Sequence, residues 1–319
     1  MDSEYLERAL ELAEKGRGTT HPNPVVGAVV VSDEEIVGEG WHERQGGPHA
    51  EVNALAAAGE RARGATVFVT LEPCAHHGAT APCADALIEA GVARVIVGQR
   101  DPNPQVEGGG LERLRSAGIE VGVVDGELGF RCRQQIEEWR TWATQKRPFV
   151  TYKVAVSLDG RVAVPGSRWV SGEESRRLVH VLRAASDAVA VGMGTVRWDN
   201  PRLDARGVPV VRQPRRIAFG RGPLPEESEL ELRSGPLRDE LEALAAEGVQ
   251  SLLLEGGPTL AAAFLEQGFV DKLLVFVAPT LSGNGPGMIA GLVSPQRLTR
   301  LSTRSVGEDI LLEAYLHGP

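Results

Sequence analysis

The chain has 319 residues, with 34 Lys and Arg against 43 Asp and Glu, and a formal charge of −9. That length sets a prior of two domains, with enough chain to bury cores without disulfide staples or a structural metal. The acidic balance argues against a general nucleic-acid binder, and no apolar run approaches the roughly 18 residues of a membrane span.

The charged, amphipathic start MDSEYLERAL is not that of a signal peptide. Its Leu6, Ala9, Leu10 and Ala13 recur at helical spacing, and Gly16 and Gly18 stop that helix. Val25 to Val31 reads as a buried strand, followed by a turn at Ser32-Asp33 and a short strand at Ile36-Val37. His49 to Ala58 is Ala-rich without Gly or Pro and predicts a helix. Thr66 to Leu71 is a strand, residues 83–90 a helix stopped at Gly91, and Val92 to Val97 another strand. This alternation predicts a layered α/β domain with a largely parallel sheet. Residues 128–147 predict one bridging helix, with Phe130, Ile136, Trp139 and Ala143 on one face.

A second α/β pattern begins at Pro148, so the expected domains are 1–147 and 148–319. Its predicted strands are Phe149 to Ser157, Ala188 to Val191, Ser251 to Leu254 and Lys272 to Val277. Ser171 and Glu174 have the spacing of a capping box ahead of a helix striped by Leu178, Val181, Leu182 and Ala185. Residues 220–236 are rich in Pro, Gly and Glu and predict a loop, with a short helix near 237–247.

Three cysteines, Cys74, Cys83 and Cys132, are too few for a disulfide scaffold and fit a reducing cytoplasm. Cys74 and Cys83 combine in chemistry with His49-Ala50-Glu51. One imidazole and two thiolates make a three-ligand zinc set with a position left for water, and a helix N-terminus favours thiolate. Glu51, two residues from His49, is placed to move the proton of an activated water without being a ligand. This is the H-x-E and P-C pattern of zinc deaminases. Two alternatives compete: packed core residues, or a structural zinc site with His76 or His77 as fourth ligand. Cys132 lies outside the motif and is expected to be a packed side chain.

His49-Ala50-Glu51, Leu71-Glu72-Pro73-Cys74 and Pro82-Cys83 together resemble the deaminase half of the bifunctional riboflavin biosynthesis enzymes. The eight residues between the two cysteines, where nucleoside and tRNA deaminases usually have two, sharpen that resemblance. Thr19 to Gly27 and Arg100-Asp101-Pro102-Asn103-Pro104 are similar to further segments of the family. The resemblance implies Zn2+ on His49, Cys74 and Cys83, Glu51 as proton shuttle, and Asn23, His42 and His76 lining a pyrimidine pocket.

From Pro148 onward the chain resembles the family's reductase half. The matching stretches are 153–161, Ser167 to Ser171, Val191 to Val196, Asp199 to Leu203 and Leu254 to Leu260. The implied fold is a cytidine-deaminase-like three-layer α/β/α domain followed by a dihydrofolate-reductase-like α/β domain. Gly256-Gly257 between a strand and a helix suits a dinucleotide phosphate, and Gly192 and Gly194 suit close approach of the nicotinamide. No G-x-G-x-x-G fingerprint is present, so a Rossmann domain is not expected. The resemblance implies NADPH contacts from Ala155, Trp169, Thr195, Asp199, Gly257, Pro258, Thr259, Leu260, Ala261, Ala262 and Ala263. It implies contacts to a phosphorylated pyrimidine substrate from Ser167, Arg183, Leu203, Arg206 and Glu255, with Lys153 and Asp159 shaping the cleft. Arg183 and Arg206 suit a phosphate because guanidinium donors form charge-assisted bonds.

The expected activity is zinc-dependent deamination of a diaminopyrimidinone ribosyl phosphate, then NADPH-dependent reduction of its ribosyl group to ribityl. The alternative keeps the deaminase and makes the second half a degenerate scaffold or oligomerisation module, because the stretch between the Asp-Asn-Pro and Glu-Gly-Gly motifs is short for the family. Neither reading involves nucleic acid or a membrane, and a homo-oligomer is expected.

Overall fold

The structure is a computed structural model that describes residues 2–75, 82–103 and 108–318. The chain folds as two compact units, one ending at Gln145 and one running from Lys146 to Gly318.

The first unit contains α1 (Asp2–Glu14), β1 (Gly27–Ser32), β2 (Glu35–Trp41), α2 (Ala50–Ala58), β3 (Thr66–Val69) and α3 (Cys83–Ala90). It continues through β4 (Arg94–Val97), α4 (Gly109–Ser116), β5 (Glu120–Val123), α5 (Gly126–Gln135) and α6 (Glu137–Gln145). Its five strands lie in the order β2-β1-β3-β4-β5. The pairs β3–β4 and β4–β5 are parallel, but β1 runs antiparallel to both β2 and β3. The expectation of a largely parallel sheet is corrected to a mixed one. The tight turn at Asp33-Glu34, both at positive φ, folds β2 straight back on β1 and leaves no length for a helical crossover.

Strand alternation sorts side chains to the two faces. Ala28, Val30, Val67, Val69, Val95 and Val97 pack with Ala50, Ala54, Leu87, Leu111 and Leu114 of α2, α3 and α4. Val29, Val31, Phe68 and Ile96 pack on the other face with Leu6, Ala9, Leu10 and Leu12 of α1 and with Cys132 of α5. Helices therefore cover both faces, giving the three α/β/α layers. The single helix expected over 128–147 is two, because the backbone leaves helical geometry at Ile136 (φ −121°, ψ 24°). Cys132 is 1% exposed, and burial pushes its thiol up to about 12, so it is the packed side chain expected.

Two glycines set the distance between α2 and the sheet. A Cβ on Gly40 would lie 2.3 Å from the Ala54 nitrogen, and one on Gly38 2.3 Å from the Ala54 carbonyl. The helix carrying Glu51 thus rests directly on β2. Gly40→Ala is expected to push α2 outward at a cost of about 1–3 kcal/mol. Zinc content and ammonia release should fall while NADPH oxidation persists. Unchanged zinc content would contradict the close-packing account.

The second unit contains β6 (Phe149–Ser157), α7 (Glu173–Ala185), β7 (Ala188–Gly192), α8 (Met193–Asp199), β8 (Arg215–Phe219) and β9 (Glu231–Arg233). It ends with α9 (Leu237–Ala246), β10 (Ser251–Leu254), α10 (Pro258–Glu266), β11 (Lys272–Ala278), β12 (Thr299–Val306) and β13 (Asp309–Tyr315). The eight strands run β12-β13-β11-β6-β10-β7-β8-β9. The centre is parallel, and only β13 and β12 are antiparallel additions at one edge. Val150, Tyr152, Val154, Leu252 and Leu254 form one core with Leu241, Leu244, Ala261 and Phe264 of α9 and α10.

Residues 220–236, expected as loop throughout, include β9, which pairs parallel to β8. The capping box at Ser171 does not form. Gly172 is the N-cap of α7, and its N–H donates to Asp309 Oδ2 at 2.8 Å. A carboxylate from a distant strand thus accepts the N–H of the N-cap residue itself, and no side chain caps the first turn of α7.

Candidate active sites

In the first unit, the chain passes from β3 through Pro73 to Cys74, while His49 and Cys83 sit at the starts of α2 and α3. Their ligand atoms lie within 4.8 Å of one another. His49 Nδ1 is 3.2 Å from Cys83 Sγ and 3.7 Å from Cys74 Sγ. A tetrahedral zinc ion, with bonds of about 2.3 Å to sulfur and 2.0–2.1 Å to nitrogen, would hold such atoms about 3.6 Å apart. The trio therefore fits zinc. The Cys83 N–H, at the start of α3, donates to Cys74 Sγ at 3.3 Å. Hydrogen bonding from the Cys83 thiol lowers the Cys74 thiol well below its usual range and pushes Cys83 up.

Glu51 occupies the first turn of α2 and is 3% exposed. Burial raises its carboxyl above the usual range and outweighs the opposing field of His49. A carboxyl raised this way holds a proton more readily than an ordinary glutamate, which suits a proton carrier.

Asn23 and His42 come together as expected, but in series. His42 Nδ1 lies 3.1 Å from the Pro48 carbonyl, which only an N–H can satisfy. Nε2 is then the acceptor, and it lies 3.3 Å from Asn23 Nδ2. His42 is 3% exposed and burial lowers its pKa, consistent with this neutral tautomer. Both ring nitrogens of His42 thus have partners within the protein. This leaves the Asn23 carbonyl oxygen as the group available for a ligand. His76 lies outside the described residues.

Sequence reasoning missed Glu72. Its carboxylate accepts the N–H groups of Asp101, Gly108, Gly110 and Leu111 at 3.1–3.3 Å. It ties the segment before Cys74 to the N-terminus of α4. Its place beside Pro73-Cys74 was a visible signal, but its partners lie 29 to 39 residues away.

In the second unit, a cleft of about 2110 Å³ opens beyond the carboxyl ends of the central parallel strands. Such ends are where open α/β sheets bind ligands. Ala155, Trp169, Thr195, Asp199, Gly257, Pro258, Thr259, Leu260 and Ala263 line it, as do Ser167, Arg183, Leu203, Arg206 and Glu255. Ala261 and Ala262 do not. They are 0% and 6% exposed and face inward, because α10 begins at Pro258 and its helical turn rotates them into the core. Leu203 is 2% exposed with φ of +53°, so its side chain belongs to the core and its backbone to the cleft. Of the expected 257–263 stretch, 257–260 and Ala263 thus line the cleft, while Ala261 and Ala262 turn their side chains into the core.

A Cβ on Gly257 would lie 2.9 Å from Thr195 Oγ1, and one on Gly192 would lie 3.3 Å from Leu260 Cβ. These glycines keep open a cradle between the starts of α8 and α10, which fits a dinucleotide phosphate. Gly194, in α8, also lines the cleft, and the position of a Cβ on it is open space.

Three charges converge at the cleft wall. Arg183 donates to both Glu255 oxygens at 2.6 and 2.9 Å, and Lys153 Nζ is 3.8 Å from Glu255. Burial would raise the Glu255 carboxyl, but Lys153 and Arg183 outweigh it and hold it below its usual range. Burial lowers the Lys153 amine despite Glu255.

A partly buried N/S/S trio beside a carboxyl, and a glycine-lined cleft over a parallel sheet, define a metal-dependent deaminase domain joined to a dinucleotide-dependent reductase domain. Residues 1–99 match the family model of the cytidine and deoxycytidylate deaminase zinc-binding region, and residues 148–312 match that of the RibD C-terminal domain. Riboflavin biosynthesis protein RibD of Aquifex aeolicus is 41% identical over 98% of this chain and 98% of its own. The RibD of Escherichia coli is 40% identical with the same coverage. Among solved structures, form 1 of Acinetobacter baumannii RibD superposes with a TM-score of 0.86 at 36% identity, covering 98% of each chain. A diaminohydroxyphosphoribosylaminopyrimidine deaminase/5-amino-6-(5-phosphoribosylamino)uracil reductase of Thermotoga maritima gives 0.83 at 36% identity, again covering 98% of each chain. The chain belongs to the RibD family. It is a bifunctional enzyme of riboflavin biosynthesis, a zinc-dependent deaminase and an NADPH-dependent reductase. The alternative of a degenerate second half finds no support, since the RibD C-terminal match spans that half. Among the described residues no helix is long and apolar enough to cross a membrane.

Proposed function

We propose that the first unit deaminates a diaminopyrimidinone ribosyl phosphate and the second reduces the ribosyl group of the resulting aminouracil to ribityl. The approach of His49, Cys74 and Cys83 within 4.8 Å beside buried Glu51 carries the first part. These three residues would hold zinc, which when bound supplies Lewis-acid activation of water. Glu51 takes the water proton on its carboxylate and returns it to the departing amine. The Asn23 carbonyl, oriented by His42, accepts a hydrogen bond from the pyrimidine ring. Cys83 and Cys74 stay reduced in a cytoplasmic setting, which their free state suits.

In the second unit the cradle of Gly192, Thr195 and Gly257 would hold NADPH, which when bound supplies the reducing equivalent. Trp169 and Asp199 flank it, and Ala155 floors the cleft. Arg206, Ser167 and Arg183 bind the substrate phosphate, and Glu255 faces the ribosyl group. The enzyme acts on small anionic substrates, without nucleic acid, and as a homo-oligomer.

Removal of zinc tests the division of labour. A chelator is expected to abolish ammonia release, and about one equivalent of zinc should restore it. NADPH oxidation with the deaminated aminouracil as substrate should be unaffected. Ammonia release that survives chelation would overturn the assignment of the metal site.

A further inference from the structure

The stretch between α8 and β8, residues 200–214, has no helix or strand. Its middle is nevertheless held tightly by side chains from outside it and from its far end. Gln213 Oε1 accepts the Ala205 N–H at 2.9 Å, and Gln213 Nε2 donates to the Ala205 carbonyl at 2.8 Å. This single side chain therefore serves both backbone groups of Ala205, as a neighbouring strand would. The Asp204 carbonyl accepts from Arg183 Nη1 at 3.1 Å, and His180 Nδ1 lies 3.2 Å from it. The Arg206 N–H points at the same His180 nitrogen at 3.4 Å. Because Arg183 already satisfies the Asp204 carbonyl, Nδ1 can serve as acceptor for Arg206. Four consecutive backbone groups, from the Asp204 carbonyl to the Arg206 N–H, are thus fixed by Gln213, His180 and Arg183. Leu203 anchors the segment in the core at positive φ, 2% exposed.

The restraint coincides with the cleft. Arg206 and Gly207 line it, and the Arg206 guanidinium is half exposed and aimed by Asp204 Oδ1. An exposed arginine on an irregular loop loses much side-chain entropy on gripping an anion, and a fixed backbone reduces that cost. We propose that Gln213 and His180 are positioning residues of the reductase: they clamp residues 204–206 so that Arg206 is presented, preorganised, to the substrate phosphate. This rests on the reading of Arg206 as a phosphate contact. Gln213 lies outside the lining of the cleft, whereas His180 belongs to it and acts here through its contacts to residues 204–206. Gln213 is exposed to solvent, so its replacement leaves the core intact.

The test uses the full-length, zinc-loaded protein. NADPH oxidation is measured with the phosphorylated aminouracil and with the same compound lacking its phosphate. Gln213→Leu is expected to raise KM for the phosphorylated substrate about 3–10-fold, the loss of a pair of ordinary hydrogen bonds, with kcat, KM for NADPH and ammonia release unchanged. With the dephosphorylated substrate Gln213→Leu and the parent should be equal. His180→Asn, which keeps an acceptor for the Arg206 N–H, should retain more affinity than His180→Leu. Arg206→Ala is the reference. If it raises KM only for the phosphorylated substrate while Gln213→Leu does not, the clamp is overturned and the phosphate reading stands. If Arg206→Ala shows no dependence on the phosphate, the reading of Arg206 falls and the clamp with it. An equal loss by Gln213→Leu on both substrates would reduce Gln213 to a structural role and also overturn the proposal.

Discussion

Glu51→Gln is expected to lower ammonia release by roughly 10²–10⁴-fold while zinc remains bound. The amide keeps the size of the carboxyl and its place in the first turn of α2, but it cannot take up and return a proton. The ligand trio lies outside the change, so metal content should stay at the parent level. The reductase belongs to the other compact unit, so its rate with the deaminated substrate should not move. Steady-state ammonia release and metal analysis on the same preparation check this. Retained deamination would remove Glu51 from the role of proton carrier. Loss of zinc alongside activity would instead make it part of the metal's support.

Glu255→Ala should have the second large effect, confined to the other half. Glu255 is the counter-charge of both Arg183 and Lys153. Truncating one member of a buried charged cluster leaves the rest uncompensated, which costs about 3–5 kcal/mol. NADPH oxidation should be lost and the thermal transition of the reductase domain should fall, with ammonia release preserved. Glu255→Gln keeps a side chain that can hydrogen-bond and should recover part of the stability but not the charge balance. The native carboxyl is held below its usual range. Its stabilising contribution is therefore complete above the ordinary glutamate pKa and is lost as the pH falls through the depressed folded value. Acid titration of the parent against Glu255→Gln, followed by reductase-domain melting, should show the difference shrinking in that window. A difference independent of pH would contradict the charge-cluster account.

What was legible in the sequence follows from distance along the chain. His49, Glu51, Cys74 and Cys83 are chemically distinctive residues at family spacing, and the fold brings them together. The buried strands Thr66–Val69 and Ser251–Leu254 were readable because an unbroken apolar run has few other uses. Groups whose partners are remote were not readable. Asp309 holds the Gly172 N–H at the start of α7 from 137 residues away, where the local Ser171 looked like the cap. Glu72 satisfies backbone donors on the far side of a sheet crossover. The partners of the two His42 nitrogens, the Pro48 carbonyl and the Asn23 amide, became readable only in the folded loop. The hairpin of β12 and β13 escaped because nearly every side chain of β12 is exposed, so its strand carries no apolar alternation. The closing turn at Gly307, with φ of +59°, was the signal available for it.

The most direct test of two successive reactions in one chain is a coupled assay. The purified protein is given the diaminopyrimidinone ribosyl phosphate, with and without NADPH, and ammonia release and NADPH oxidation are followed together. The account predicts ammonia release in both cases and NADPH oxidation that begins only as the deaminated product accumulates. Ammonia release with no NADPH oxidation, or neither signal, would contradict it.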